Sequence, residues 1–311
     1  MSSNDNGCRY PVTILMICYH SEFEKIRQTL ESIFMQKDVD YEIVLADDGS
    51  EDNHEKEITE CFRQHHFDNY KLVLNQKNQG TVRNILSGLK VSEGTYIKDI
   101  SPGDRLVGEW TIRKWVDFMN GHSCDWSFSD ALYYRNDGGK DRIIQDRAYP
   151  QIISPYKAGK DEACRWNYVV LRDIALGAVM MTQRDLMEKY ICRIAEQGVV
   201  YAEDNIWRMM MFEGHVGSYY PETTVLYEYG SGISTSENSV WKERLMRDWE
   251  ITSEMICSYA NPDSFQRRMI GCMKRKRAWS KFMIPGKIAF TVKRNYFPRK
   301  TKNGEGIGIC R

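Results

Sequence analysis

Nine cysteines are scattered through 311 residues with no CxxC pair and no metal-finger spacing, which argues against a disulfide scaffold or a zinc ribbon. No uninterrupted apolar run approaches the length that spans a bilayer, so membrane contact is expected to be peripheral at most. The opening stretch MSSNDNGCRY lacks the apolar centre of a secretory signal, and together with the unpaired cysteines it points to a reducing cytoplasm. Neither GxGxxG nor a P-loop pattern occurs, which removes support for those two routes to nucleotide phosphates. Net charge is absent as well, with 43 Lys and Arg against 43 Asp and Glu. That balance is uneven. Residues 267–311 hold fourteen Lys or Arg against Glu305 alone, leaving 29 basic and 42 acidic residues in the rest.

What is present is organised around residues 41–52, YEIVLADDGSED. Residues 43–46 are an apolar run that reads as a buried parallel strand, and it opens onto Asp47, Asp48, Gly49 and Ser50. In an open α/β sheet, ligands bind at that end of the strands. Two adjacent carboxylates there need a cation, a hydrogen-bond donor or water beside them; a turn with a helix cap is the alternative use of the same residues. Residues 12–18 read as a first strand, followed by a helical period over 22–36 with Ser21 as N-cap. A helix over 55–66, a strand over 70–74, a helix ending at Leu89 and a strand over 95–100 continue the alternation. The spacing predicts a mostly parallel sheet covered on both faces. Polar residues then collect at one rim: Tyr19 and His20, Asp47 and Asp48, and Ser101 to Asp104.

Five segments in this order carry a resemblance: ICYHSEFEKIRQTLESIFMQ, YEIVLADDGSED, NQGTVRN, GTYIKDISPGDRL and AEDNIW. Together they resemble the family 2 glycosyltransferases, nucleotide-sugar-dependent enzymes of the GT-A fold, over about the first 235 residues. The resemblance implies an α/β, Rossmann-like and mostly parallel sheet flanked by helices. It places the donor nucleotide at Ile17, Cys18, Tyr19, Asp47, Asp48 and Arg83, with Gly103 and Asp104 close by. The family's acidic metal motif is altered here. Ser101 and Gly103 stand at its expected ligand positions, leaving Asp104, with Asp99 upstream, to hold Mn or Mg; His215 is a further metal candidate. A plain turn is the alternative reading of Pro102, Gly103 and Asp104.

Later in the chain a helix is expected over 110–119 and a strand over 125–134, with Asp130 a candidate for the sugar pocket. Residues 136–160 are polar and read as a mobile loop. A short strand is expected over 177–181, and the methionines at 180–181 and 209–211 read as core filler. Glu203 and Asp204 precede a helix over 205–212. By the resemblance this pair supplies the catalytic base, with Asp204 in that role and Glu203 assisting; an acidic pair facing a helix dipole is the alternative. A strand over 223–229 leads to the segment 232–234, which resembles the family's closing element near the diphosphate.

These readings divide the chain into a glycosyltransferase domain over 1–235, with a nucleotide-binding half to 105 and an acceptor half after it, and a helical basic region over 236–311. Basic residues interleaved with Trp279, Phe282, Phe290, Tyr296 and Phe297 fit an interfacial segment on anionic lipid. Packing of that region onto the acidic body is the other option, and no nucleic-acid module accompanies the charge. The expectation is an inverting transferase that moves a sugar from a nucleotide diphosphate, UDP first, to a saccharide or lipid-linked acceptor in cell-surface polysaccharide synthesis, such as capsule or O-antigen. It would be peripheral at the cytoplasmic face of the inner membrane. A degenerate nucleotide-binding or membrane-tethering protein of the same fold is the rival reading.

Overall fold

A computed structural model describes residues 9–137, 140–230, 239–275 and 282–301. The first hundred residues alternate strand and helix as β1 (Tyr10–Cys18), α1 (Phe23–Phe34), β2 (Tyr41–Asp47), α2 (Glu55–Gln64), β3 (Tyr70–Leu74), α3 (Thr81–Leu89) and β4 (Gly94–Ile100). These four strands are parallel, in the spatial order β3-β2-β1-β4. Apolar side chains alternate along them with the two-residue period of a pleated strand covered on both faces. Ile43 and Leu45 of β2 pack with α1 and α2 residues such as Leu30, Ile33 and Phe62. Val44 and Ala46 face the opposite side, where Val82, Ile85 and Leu89 of α3 lie.

The second half adds β5 (Arg105–Leu106), α4 (Thr111–His122), β6 (Trp126–Asp137), β7 (Lys140–Gln145), α5 (Ser154–Lys157) and α6 (Asp161–Trp166). A π-helical turn (Asn167–Leu171) and a 3-10 turn (Gly177–Val179) lead into β8 (Met180–Gln183), α7 (Arg184–Glu196), α8 (Asn205–Glu213) and β9 (Ser218–Glu228). The sheet continues through β8, β6, β9 and β5, with β7 paired to β6. Here the pairing is mixed: β8 is antiparallel to both β4 and β6, whereas β6 and β9 are parallel. The segment 136–160, expected as a mobile loop, instead carries β7 in a hairpin with β6, and α5. Its polar composition reflects an outward-facing hairpin, since Ile143 and Ile144 are exposed. Ser21 does not cap α1 either; its hydroxyl accepts from the Tyr19 N–H, and Glu22 occupies the N-cap position without a side-chain bond. The five methionines at 180–181 and 209–211 are all buried.

Among the described residues follow the helices α9 (Ser239–Cys257), α10 (Ser264–Met273) and α11 (Lys287–Tyr296). A capping box starts α10, with the Asp263 carboxylate accepting from the Gln266 N–H at 2.7 Å and the Gln266 side chain accepting from the Asp263 N–H at 2.9 Å. Ile256, Met269, Ile270, Cys272, Ile284 and Phe290 are buried in the same core cluster as Val44, Trp126 and Trp207. Described residues after 236 therefore share the core of the sheet. Beyond α11, Arg299 returns to β6 and β9.

Candidate active site

The carboxyl ends of β1 and β2 are tied together from within. Asp47 accepts from the Ser50 N–H at 2.8 Å and the Ser50 hydroxyl at 2.7 Å, which folds the DDGS turn back on itself. Gly49 has φ +80, and a Cβ there would lie within 2.8 Å of Lys77 backbone atoms, so the turn requires glycine. Asp48 accepts from the Gln79 N–H at 2.9 Å and the Gly80 N–H at 2.8 Å, joining β2 to the start of α3. Burial and the Asp47 charge raise the Asp48 pKa, while the two backbone donors oppose the rise. Asn84 spans the two strands, donating to the carbonyls of Ala46 at 3.0 Å and Cys18 at 3.3 Å. Both acids are buried, so the groups this rim turns outward are Tyr19, 44% exposed, and Arg83 on the first turn of α3. Ile17 is half-buried and Cys18 buried, its thiol pushed up by burial.

The end of β4 is more heavily charged. Lys98 is completely buried, its pKa lowered by burial and drawn back up by Asp99 and Asp104. Its ammonium donates to the carbonyl of Asp99. Asp104 turns inward and accepts from the Glu228 N–H at 2.9 Å, stitching the β4–β5 turn to the end of β9. Burial pushes the Asp104 pKa up to about 7. Gly103 has φ +99 and lies against the Glu228 carboxylate, which Lys25 pairs at 2.9 Å. Its N–H donates to Thr29 and its carbonyl accepts from Tyr134.

Glu203 and Asp204 arrive at this end of the sheet through α3. A Cβ on Gly80 would meet Val200 Cγ1 at 2.2 Å, and the Val82 N–H donates to the Val200 carbonyl at 3.0 Å. A carboxylate that sequence reasoning missed holds the same segment from below. Asp248 of α9 accepts from the N–H groups of Val200, Tyr201 and Ala202 on one oxygen, at 3.1, 2.6 and 3.0 Å. Nothing local in an amphipathic helix marks Asp248 for this task; only its burial does. Asp204 Oδ1 would lie 2.2 Å from a Cβ on Gly177, so the acid pair sits against the backbone just before β8. Asp204 is exposed, yet enough protein surrounds it to push its pKa up to about 7, with the Asp99 charge adding to the rise. The Glu203 pKa is raised well above its ordinary range by burial, then by Asp204, Asp99 and Asp248. Asp99 thus feels both Asp104 on one side and Glu203 and Asp204 on the other.

Other expected site residues lie elsewhere. His215 pairs with Asp125 at 2.6 Å, before the amino end of β6, and the β6–β8–β4 register puts that end at the rim opposite Asp104. It is therefore not brought to Asp104. Asp130 accepts both guanidinium arms of Arg299, at 2.8 and 2.9 Å, and the Tyr219 hydroxyl at 2.9 Å. Its charge is neutralised by the chain itself. Among the described residues no three His, Cys, Asp or Glu side chains converge on a point, and Asp104 spends one oxygen on a backbone donor. These residues do not form a cage for a divalent cation. A cavity of about 690 Å³ lined by Lys160, Trp166, Asn167, Phe265, Arg268 and Pro285, among others, contains none of the acids above. The segment 232–234 lies outside the described residues.

A parallel β3-β2-β1-β4 sheet with acids at its carboxyl rim, joined through a mixed half to an acid pair at the start of a buried helix, defines the GT-A class of fold. Residues 13–98 match the family model described as glycosyl transferase family 2. Glycosyltransferase GlyG of Streptococcus pneumoniae serotype 4 is 31% identical over 136 residues, covering 41% of this chain and 44% of that protein. The chain thus aligns with less than half the length of that relative. Among solved structures, S. aureus TarS 1-349 in complex with UDP aligns with a TM-score of 0.55 at 14% identity, over 91% of this chain and 75% of the other. The same TarS segment with UDP-GlcNAc gives 0.56 at 15% identity, over 83% and 70% of the two chains. The mannosyltransferase PcManGT from Pyrobaculum calidifontis, in complex with GDP-Man and Mn2+, gives 0.58 at 12% identity, over 92% and 76%. At these identities the structural likeness is one of fold.

Proposed function

We propose that the chain transfers a sugar from a nucleotide diphosphate, UDP first, to a saccharide or lipid-linked saccharide acceptor with inversion, in cell-surface polysaccharide synthesis. We set the reaction at the cytoplasmic face of the inner membrane, where a lipid-linked acceptor would be met. The observation that carries this reading is the Asp204 carboxylate, solvent-accessible but desolvated, on the end of the sheet where GT-A folds hold a donor. A carboxylate with its pKa near 7 is matched to general-base work at neutral pH. In the proposed step the acceptor oxygen attacks the anomeric carbon, the bond from that carbon to the diphosphate oxygen breaks, and the acceptor proton passes to Asp204. Burial and the neighbouring Asp204 raise the Glu203 pKa, which favours its neutral form beside the base. Tyr19 and Arg83 are the outward groups beside Asp47 and Asp48, suited to the base and the phosphates of the nucleotide. Asp48 would act mainly by fixing Gln79 and Gly80, since both its oxygens already accept backbone donors.

The test is UDP release from a panel of UDP-sugars, with Mn or Mg and with saccharide acceptors, for the intact chain and for Asp204→Asn. The expected outcome is turnover in the former, at least about a thousandfold less in the latter, and similar donor affinity in both. Binding of UDP-sugar without turnover by the intact chain, whichever donor or acceptor is offered, would favour the degenerate reading instead.

A further inference from the structure

Six of the fourteen large apolar or aromatic side chains exposed among the described residues fall within residues 282–297. Ile288, Val292 and Tyr296, spaced by four along α11, are 59%, 42% and 75% exposed. Residues at that spacing form one stripe on a helix. Phe297 at its end is 71% exposed, and Phe282 and Met283 before the helix are 66% and 63% exposed. The opposite side of α11 is already satisfied: Phe290 is buried, with Lys287 and Arg294 over its ring at 5.5 and 5.6 Å. So α11 has an apolar face used by the core and a second one turned outward with the exposed Lys293 at its edge, while Arg294 reaches over Phe290.

We propose that this outward face is a docking surface for an anionic lipid bilayer, with Ile288, Val292, Tyr296 and Phe297 entering the headgroup region and Lys293 at its edge meeting lipid phosphates. Three observations select lipid over a protein partner. The stripe is narrow and ends in aromatic rings, which favour the headgroup level. Residues 267–311 carry fourteen Lys or Arg against one acid, a charge complementary to an anionic surface and hostile to a second copy of itself. The helix is also held rigidly: Trp166 donates to the Pro285 carbonyl at 3.0 Å and Lys287 to the Leu171 carbonyl at 3.4 Å. Leu171 precedes the stretch that ends at Gly177, against which Asp204 lies. The biological setting rests on the transfer reading above, but adsorption itself needs no turnover, so the two fail separately.

Flotation of the intact chain with vesicles of phosphatidylcholine alone, or with about 30% phosphatidylglycerol, reads the adsorption directly. The intact chain is expected to float with the anionic vesicles only, and less as salt rises. Ile288→Asp with Val292→Asp and Tyr296→Asp, all at exposed positions, should remain at the bottom. Lys293→Glu should bind about tenfold more weakly or worse. Circular dichroism and UDP release from a soluble donor should match the intact chain in both variants. Flotation of the triple variant equal to the intact chain, absence of flotation for the intact chain, or a dimer in solution that the triple variant breaks would each overturn the proposal.

Discussion

Asp204 illustrates how one residue's surroundings set both its chemistry and its cost. A carboxyl raised from its ordinary value to about 7 is mostly protonated in acid, where it cannot accept a proton. Turnover should therefore rise with pH along a limb of apparent pKa near 7, measured as kcat/KM; a limb below pH 5 would show that Asp204 is not desolvated in solution. The same shift works against stability. Folded Asp204 binds its proton more tightly than the unfolded chain does, so its contribution is most favourable in acid and is lost as pH rises from about 4 through about 7. Asp204→Asn should gain about 1 to 2 kcal/mol over the parent at pH 8, discounted because solvent reaches the group, and less at pH 5. Thermal melts at the two pH values check this. Gly177→Ala makes a complementary prediction. Its methyl would fall 2.2 Å from Asp204 Oδ1, the movable end of a side chain. It should lower kcat about tenfold or more while Tm and donor affinity stay close to the parent's.

At the scale of elements, the segment that carries the proposed base is a short irregular run between α7 and α8 that has no ladder of its own. It is held from two sides, by α3 through Val200 and by α9 through the three N–H groups on Asp248. Removing the carboxylate leaves three buried donors without their acceptor. Asp248→Ala is expected to cost about 2 to 4 kcal/mol in denaturant unfolding, and Asp248→Asn less, because it keeps one oxygen in place. In the Asn variant kcat should fall more than donor affinity, since what it loosens is the approach of the acid pair rather than the nucleotide rim. Equal kcat in the variant and the parent would make Asp248 a purely structural residue. Some of this was legible from residue order and some was not. The alternation of strands with helices, a mostly parallel sheet and the position of the acid pair before a helix follow from period and turn chemistry, whereas the order β3-β2-β1-β4 does not. The mixed half does not, because a strand such as Met180–Gln183 carries no mark of its direction or its partners. Nor does the hairpin of β6 and β7, since β7 leaves Ile143 and Ile144 exposed and has no buried apolar face to mark it.

At the scale of the whole molecule, the uneven charge is resolved in two ways at once. Arg299 pairs with Asp130 and Lys300 with Asp146, so part of the basic end does pack on the acidic body, while Lys293 is left facing outward. The helices after residue 236 are also part of the core. A chain ending at Tyr259 would strip Met269, Ile270, Cys272, Ile284 and Phe290 from the cluster beneath the sheet. Burial on this scale is worth several kcal/mol per large side chain, so such a truncation should lower Tm by 10 °C or more, roughly, or yield insoluble protein. A truncation that melts with the parent would mean that the last helices are an appendage after all. The sequence by itself determined the class of fold and singled out the candidate acids, because periodicity and short motifs are local and survive without neighbours. Only the tertiary structure decided how those acids are used. Asp47, Asp48 and Asp104 are turned inward onto backbone donors, His215 is sent to the opposite rim, and Asp248 is recruited from a distant helix. Each of those outcomes depends on which buried N–H groups lack an acceptor once the elements have packed, and that is settled between segments rather than within them.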